Sequence, residues 1–292
     1  MLIYPKRSMA RSRAENARNH FLMHIKVRTD RAWHTHGEVV LSMSTTELPP
    51  RSDITIGELV VAQPALARVF EKLGFDYCCG GKQTLAAVCA RRGLDLATVT
   101  AMLDGTTLAL NSAAPEVDAA SLSLGALADH IEQTHHAYLK TELPRLTEKS
   151  ERVARKHGWR DPRLREVRQT VRTFAEEMFG HMQKEEGILF PLVRQIEAGA
   201  GDAFHCGSIA NPIHVMEAEH ESAGAAIARL RELTNGFTPT DQDCNTHRAL
   251  LGGLADLEAD LHRHVHKENN ILFPRALARA SRNCAPTTSI TP

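Results

Sequence analysis

The sequence predicts an all-α protein, a four-helix bundle preceded by a small helical domain, and three observations carry that prediction. Apolar residues recur at three- and four-residue spacing through most of the chain after Ile54. A run of eleven residues occurs twice, as His181-Met182-Gln183-Lys184-Glu185-Glu186-Gly187-Ile188-Leu189-Phe190-Pro191 and as His264-Val265-His266-Lys267-Glu268-Asn269-Asn270-Ile271-Leu272-Phe273-Pro274. The helical stretches before each copy also match each other, so the bundle reads as one helix pair duplicated.

Composition narrows the function classes. Lys plus Arg and Asp plus Glu both number 35, which leaves no bulk basic footprint, and no nucleic-acid partner is expected. Sixteen His beside 3 Tyr and 2 Trp point to imidazole chemistry. The six Cys, at positions 78, 79, 89, 206, 244 and 284, form no regular framework, the usage of reduced thiols in a cytoplasmic protein. No apolar run approaches the roughly 20 residues of a membrane span. No signal peptide follows Met1, so a soluble protein without a membrane partner is expected.

Taken in order, residues 1–50 are a basic arm with little helical periodicity, expected to be disordered or to be upstream sequence with Met43 as an alternative initiator. Its His20, His24, His34 and His36 have no matched partners. Residues 51–105 form the small helical domain. An apolar stripe of Ile56, Leu59, Val60, Leu66, Val69, Phe70 and Leu73 stops at Gly74. After the loop Phe75-Asp76-Tyr77-Cys78-Cys79-Gly80-Gly81, a helix carries Leu85, Val88 and Cys89 to Gly93, and a short helix runs from about Asp95 to Leu103. Residues 106–120, with Pro115, read as a linker. Residues 121–280 hold four long helical segments, with connections near His157-Gly158-Trp159, Gly199 to Pro212 and Thr234 to Asp241. Residues 281–292 are a polar tail.

The duplication identifies candidate ligands. His264 follows His181 by 83 residues, and His220 follows His136 by 84. Leu139, Leu143 and Leu146 follow His136 at the offsets by which Ala223, Ile227 and Leu230 follow His220. Phe174, Met178 and Ile188 flank His181 as Leu257, Leu261 and Ile271 flank His264. All four imidazoles therefore share a helix face with the core. Glu185 and Glu268, four residues after His181 and His264, join that face. Four His and two Glu converging on one interior predict metal, because two buried carboxylates without a cation cost several kcal/mol.

Six N and O ligands suit two ions, with Glu185 and Glu268 bridging them alongside an oxo or hydroxo group. Iron is the first choice and manganese the second. His262 and His266 lie about 200° around the helix from His264 and are expected to face solvent. His130 and His214 are expected in supporting or surface roles, and His135, His157, His205 and His247 look incidental. Pro191 and Pro274 are expected to kink their helices past the site.

With these motifs in hand, the chain from about Ile54 to Leu277 resembles the RIC family, the di-iron proteins for repair of iron centres, also called iron-sulfur cluster repair proteins. The likeness rests on the stretch from Phe75 to Leu85, on both His-x-x-Lys-Glu motifs and on the run from Glu268 to Leu277. The resemblance implies a haemerythrin-like bundle holding two non-haem irons on His136, His181, Glu185, His220, His264 and Glu268. It also implies restoration of clusters damaged by oxidative or nitrosative stress, by supply of iron, with damaged iron-sulfur proteins as clients. The basic arm before Ile54 departs from the family pattern. Two other classes fit the residues: reduction of nitric oxide or dioxygen at the open positions, and a haemerythrin-like carrier or sensor. Self-association into a homodimer is left open.

Cys78 and Cys79 are adjacent, so a stable disulfide between them would need a strained ring. They precede Gly80-Gly81 and the start of a helix, where amide dipoles favour thiolate. They read either as a buried turn packed on Tyr77 or as a thiol site that passes iron, docks a client or reacts with nitric oxide. The resemblance favours the thiol site.

Overall fold

The computed structural model describes residues 50–110, 117–199 and 209–283. The arm through residue 49 with its four His and Met43, the middle of the expected linker, His205, Cys206, and the tail from Cys284 lie outside the described residues. Among those described, a lone bridge between Thr55 and Thr84 is the one extended pairing, and no helix is long and apolar enough to cross a membrane.

The small domain is built from α1 (Ile56–Ala62), α2 (Ala67–Leu73), α3 (Leu85–Arg92) and α4 (Leu96–Leu110). Thr55 and Glu58 start α1 reciprocally: the Thr55 hydroxyl accepts from the Glu58 amide and the Glu58 carboxylate accepts from the Thr55 amide. Gly74 ends α2 at φ 67°, a left-handed conformation that a side chain disfavours. Phe70, Phe75, Tyr77, Leu85 and Leu103 are fully buried between these helices. The last helix does not stop near Leu103 but continues to Leu110, into the stretch expected as linker. The residues there are helix-tolerant, and the single Gly105, which meets nothing within 4 Å, costs only about 1 kcal/mol.

Four rods form the bundle. The first is α5 (Leu124–Ile131) and α6 (Ala137–His157), joined by a π-helical turn over Glu132–His136. The second is α7 (Arg163–Lys184) and α8 (Phe190–Glu197), joined by a π turn over Glu185–Leu189. The third is α9 (Ala210–Leu233). The fourth is α10 (Asn245–Lys267) and α11 (Phe273–Asn283), joined by a π turn over Glu268–Leu272. Consecutive rods pack on each other and α10 closes the ring against α6. Helix continues through Ser281–Asn283, where a tail was expected, and Asn283 Nδ2 donates to the Ile196 carbonyl at 3.0 Å.

The prolines enter differently from expectation. Pro191 and Pro274 each occupy the second position of α8 and α11, directly after a π turn. A proline supplies no N–H to the preceding turn, and the wider π turn absorbs that loss within a continuing rod. The extra residue also rotates the downstream helix, so Ile188, expected on the core stripe, is 56 % exposed and Leu189 takes the buried place. Its counterpart Ile271 is 5 % exposed, in a cluster against which Val61 of α1 packs.

Candidate metal centre

All six predicted side chains meet in the bundle interior, each at most 2 % exposed. The three π turns bear on this directly. His136 ends one, while Glu185 and Glu268 open the other two, so the local widening lies at the residues that aim inward. His136, Glu185, His264 and Glu268 offer ligand atoms all within 4.8 Å of one another, and so do His181, Glu185, His220 and Glu268. Both carboxylates therefore belong to both quartets.

The close contacts have the form of a ligand cage rather than a hydrogen-bond network. His136 Nε2 and His181 Nε2 each lie 3.2 Å from Glu185 Oε2, His220 Nε2 lies 3.2 Å from Glu268 Oε2, and His264 Nε2 lies 3.0 Å from Glu268 Oε1. His181 Nε2 and His220 Nε2 face each other at 3.1 Å. Yet His136 Nε2, both oxygens of Glu185 and Glu268 Oε2 are buried without a hydrogen bond of good geometry. Lone pairs converging on common points, with two fully buried carboxylates, are what a pair of cations satisfies. The donor set fits them.

Carboxylates and imidazoles in the cage push one another in opposite directions. Burial pushes the Glu185 carboxyl up and Glu268 pushes it further, but His181 and His136 outweigh both and hold it below its ordinary value. Glu268 is held well below its own against the same burial, chiefly by His264 and His220. Burial presses His181 down, and the Glu185 carboxylate overrides it to bring the imidazole up to about 9. His136 is raised in the same way. A cation held by the same nitrogen and oxygen atoms would compete with protons for them.

Behind the cage stand residues that sequence reasoning did not single out. The Nδ1–H of His136 donates to Glu186 at 2.7 Å, and Lys140 Nζ holds the same carboxylate at 2.7 Å. The Nδ1–H of His181 donates to Glu219 at 3.0 Å, and Lys184 grips that carboxylate. The Nδ1–H of His220 donates to the Asn269 amide oxygen at 2.9 Å. A hydrogen-bonded Nδ1–H leaves Nε2 as the free ligand atom. The signal was present in the duplicated motif, whose position after each Glu is polar in both copies, Glu186 and Asn269.

Two expectations are corrected here. His135 is not incidental: it is buried, donates Nδ1–H to Asp260 Oδ1 at 2.9 Å, accepts from Lys267 Nζ at 2.8 Å, and burial pushes it down to about 4. His262 and His266 do not face solvent. His266 is buried and His262 half-buried, their ring centroids 5.4 and 6.0 Å from that of Tyr77. Helical phase placed them away from the bundle interior, but the small domain covers that face. His130 accepts from Lys267 Nζ at 3.1 Å, and His214 pairs with Glu217 at the surface.

The thiolate expectation fails for Cys78. The helix after the loop starts only at Leu85, capped by Thr84, so no helix N-terminus reaches the cysteines. The thiol of Cys79, burial and Asp76 together hold Cys78 well above its ordinary value. The two sulfurs are 3.9 Å apart and unbonded, and the Cys78 thiol donates to Asp76 Oδ1 at 3.2 Å. Cys79 Sγ lies 3.7 Å from the carbonyl oxygen of His220. Asn270 Nδ2 donates to the carbonyls of Tyr77 and Cys78, both at 3.2 Å. Gly81 allows that approach, since a Cβ there would lie 2.6 Å from Asn270 Oδ1.

A helical bundle with this cage defines a haemerythrin-type cation-binding protein carrying a second, cysteine-bearing domain. The model of the hemerythrin HHE cation binding domain matches residues 126–276, and that of a domain of unknown function (DUF542) matches residues 52–106. The iron-sulfur cluster repair protein YtfE of Escherichia coli O157:H7 is 38 % identical over 226 residues, 77 % of this chain and 97 % of that one. The proteins of the same name from Enterobacter sp. (strain 638) and Escherichia fergusonii are 37 % identical over the same shares. The chain thus belongs to the iron-sulfur cluster repair family, as its motifs indicated.

Proposed function

We propose that this chain is a cytoplasmic di-iron protein that repairs iron-sulfur clusters damaged by oxidative or nitrosative stress, and that it does so by supplying iron. The observation that carries this reading is the pair of quartets sharing two fully buried carboxylates. In it, His136 and His264 would hold one iron, His181 and His220 would hold the other, and Glu185 and Glu268 would serve both. The irons are cargo, held by nitrogen and oxygen donors that release them more readily than a thiolate cage would. The chain's own groups keep the site dry, orient the imidazoles through Glu186, Glu219 and Asn269, and take up protons as metal departs. Cys79, half-buried with its Sγ 3.7 Å from the carbonyl oxygen of His220, offers a thiol for docking a client. Damaged iron-sulfur proteins are the clients.

The test is anaerobic recovery of a [4Fe-4S] hydratase inactivated by nitric oxide. Iron-loaded chain restores activity and loses iron in proportion, while the Glu185→Leu, Glu268→Leu double variant restores none. A fully loaded chain that gives no recovery, or that consumes nitric oxide while keeping its iron, overturns the reading.

A further inference from the structure

The duplication lets each group behind one imidazole be compared with its counterpart behind another. His181 donates Nδ1–H to Glu219, which Lys184 grips. At the 84-residue offset the counterpart of Glu219 is His135, and at the 83-residue offset the counterpart of Lys184 is Lys267. His135 has no acceptor left for His264, because its Nδ1–H is given to Asp260 and its Nε2 accepts from Lys267. Instead it lies parallel over the His264 ring, with centroids 5.3 Å apart and planes 5° apart. The buried Nδ1 of His264 has no hydrogen-bond partner. Of the four imidazoles, His264 alone lacks one behind it.

We infer that the centre holds its two ions unequally, and that His135 is the positioning residue that makes the His136 and His264 side the one from which an ion leaves. This rests on the reading above, that the six side chains hold iron. A hydrogen-bonded Nδ1–H fixes the ring and strengthens the donor at Nε2, and losing such a partner costs about 10- to 100-fold in metal affinity. On the other side both rings have that support, His181 from Glu219 and His220 from Asn269. On this side only His136 has it, from Glu186. A single histidine in the place of a glutamate thus divides a duplicated site into a firm half and a yielding half.

The experiment loads the full chain with ferrous iron under anaerobic conditions and mixes it with excess of a chromogenic ferrous chelator. Wild type releases iron in two phases of equal amplitude, with rates about tenfold or more apart. His135→Glu supplies the missing acceptor beside Lys267 and slows the fast phase about 10- to 100-fold, toward a single slow phase. Glu219→His does the converse and turns the slow phase fast. Single-phase release from wild type, a fast phase unchanged in folded His135→Glu, or a slow phase unchanged in folded Glu219→His overturns the inference. Wild-type amplitudes and Glu219→His decide the matter even if His135→Glu does not fold. A wild-type chain that takes up no iron overturns instead the reading of the site as an iron centre.

Discussion

The two copies of the eleven-residue motif share His, Lys, Glu and the Ile-Leu-Phe-Pro tail, yet their surroundings differ at almost every other position. After Glu185 come Glu186 and Gly187; after Glu268 come Asn269 and Asn270. Glu186 turns inward to His136, and Gly187 meets nothing within 4 Å. Asn269 turns inward to His220, and Asn270 seizes the loop that bears the cysteines. The first copy looks onto solvent at Ile188, the second lies under the small domain at Ile271. Duplication made the cage; divergence of the intervening positions made one half of it a docking platform.

That contrast can be broken most severely at the shared carboxylates. Glu185→Leu with Glu268→Leu takes metal content, measured by elemental analysis and Mössbauer spectroscopy, from two ions per chain to none. Retention of one ion in the double variant would show that imidazoles alone suffice on one side. The next effect lies at the outer isoleucines. Ile271→Ala lowers unfolding free energy by about 2–4 kcal/mol, while Ile188→Ala stays within about 0.5 kcal/mol. Equal losses in chemical denaturation would remove the asymmetry of cover. Gly81→Ala costs about 1–3 kcal/mol, because its Cβ would strike the Tyr77 carbonyl at 2.5 Å as well as Asn270. Gly187→Ala gains about 0.5–1 kcal/mol, since it adds a helix-favouring residue in open space.

The smallest effect is at the exits of the two copies. The helix α8 ends in Glu197, whose carboxylate accepts from the amides of Leu124 at 2.7 Å and Gly125 at 2.9 Å and so caps α5. The equivalent helix α11 instead carries Arg275, which donates to the Leu122 carbonyl at 2.7 Å. Burial pushes Glu197 up, but those amide hydrogen bonds outweigh it and hold the group below its ordinary value of 4.5. A carboxyl with a depressed folded-state pKa contributes stability above its unfolded value and loses it as pH falls through the folded one. The contribution, at most about 1 kcal/mol for a partly exposed group, is therefore present at neutral pH and lost on acidification below 4.5. Glu197→Gln removes that acid dependence in urea titrations at pH 7 and pH 3, and an unchanged dependence would assign it to another carboxyl.

The meeting of the six inward side chains was legible because period and duplication both act within single helices. His136 and His220 could be found by their common offset, and Glu185 and Glu268 by one helical turn. What surrounds them was not legible, since it is contributed across rods. Glu219 reaches His181 from α9, and His135 reaches His264 from the first rod, contacts that no periodicity encodes. His266 shows the same limit: its phase away from the bundle interior was right, but a helix's own sequence does not say what lies on top of it. The π turns escaped because they change the phase after the motif, which is why Ile188 and not Leu189 was assigned to the core.

Asn269 belongs at once to the cage and to the loop above it. Its amide oxygen takes the Nδ1–H of His220, and its amide nitrogen lies 3.5 Å from the carbonyl oxygen of Cys78. One planar group cannot tilt for one partner without tilting for the other. A shift of the His220 ring is thus passed to the cysteine loop, and a shift of the loop is felt at His220. Such linkage is reciprocal in binding free energy, so filling the centre and engaging the loop must each change the other's affinity by the same factor.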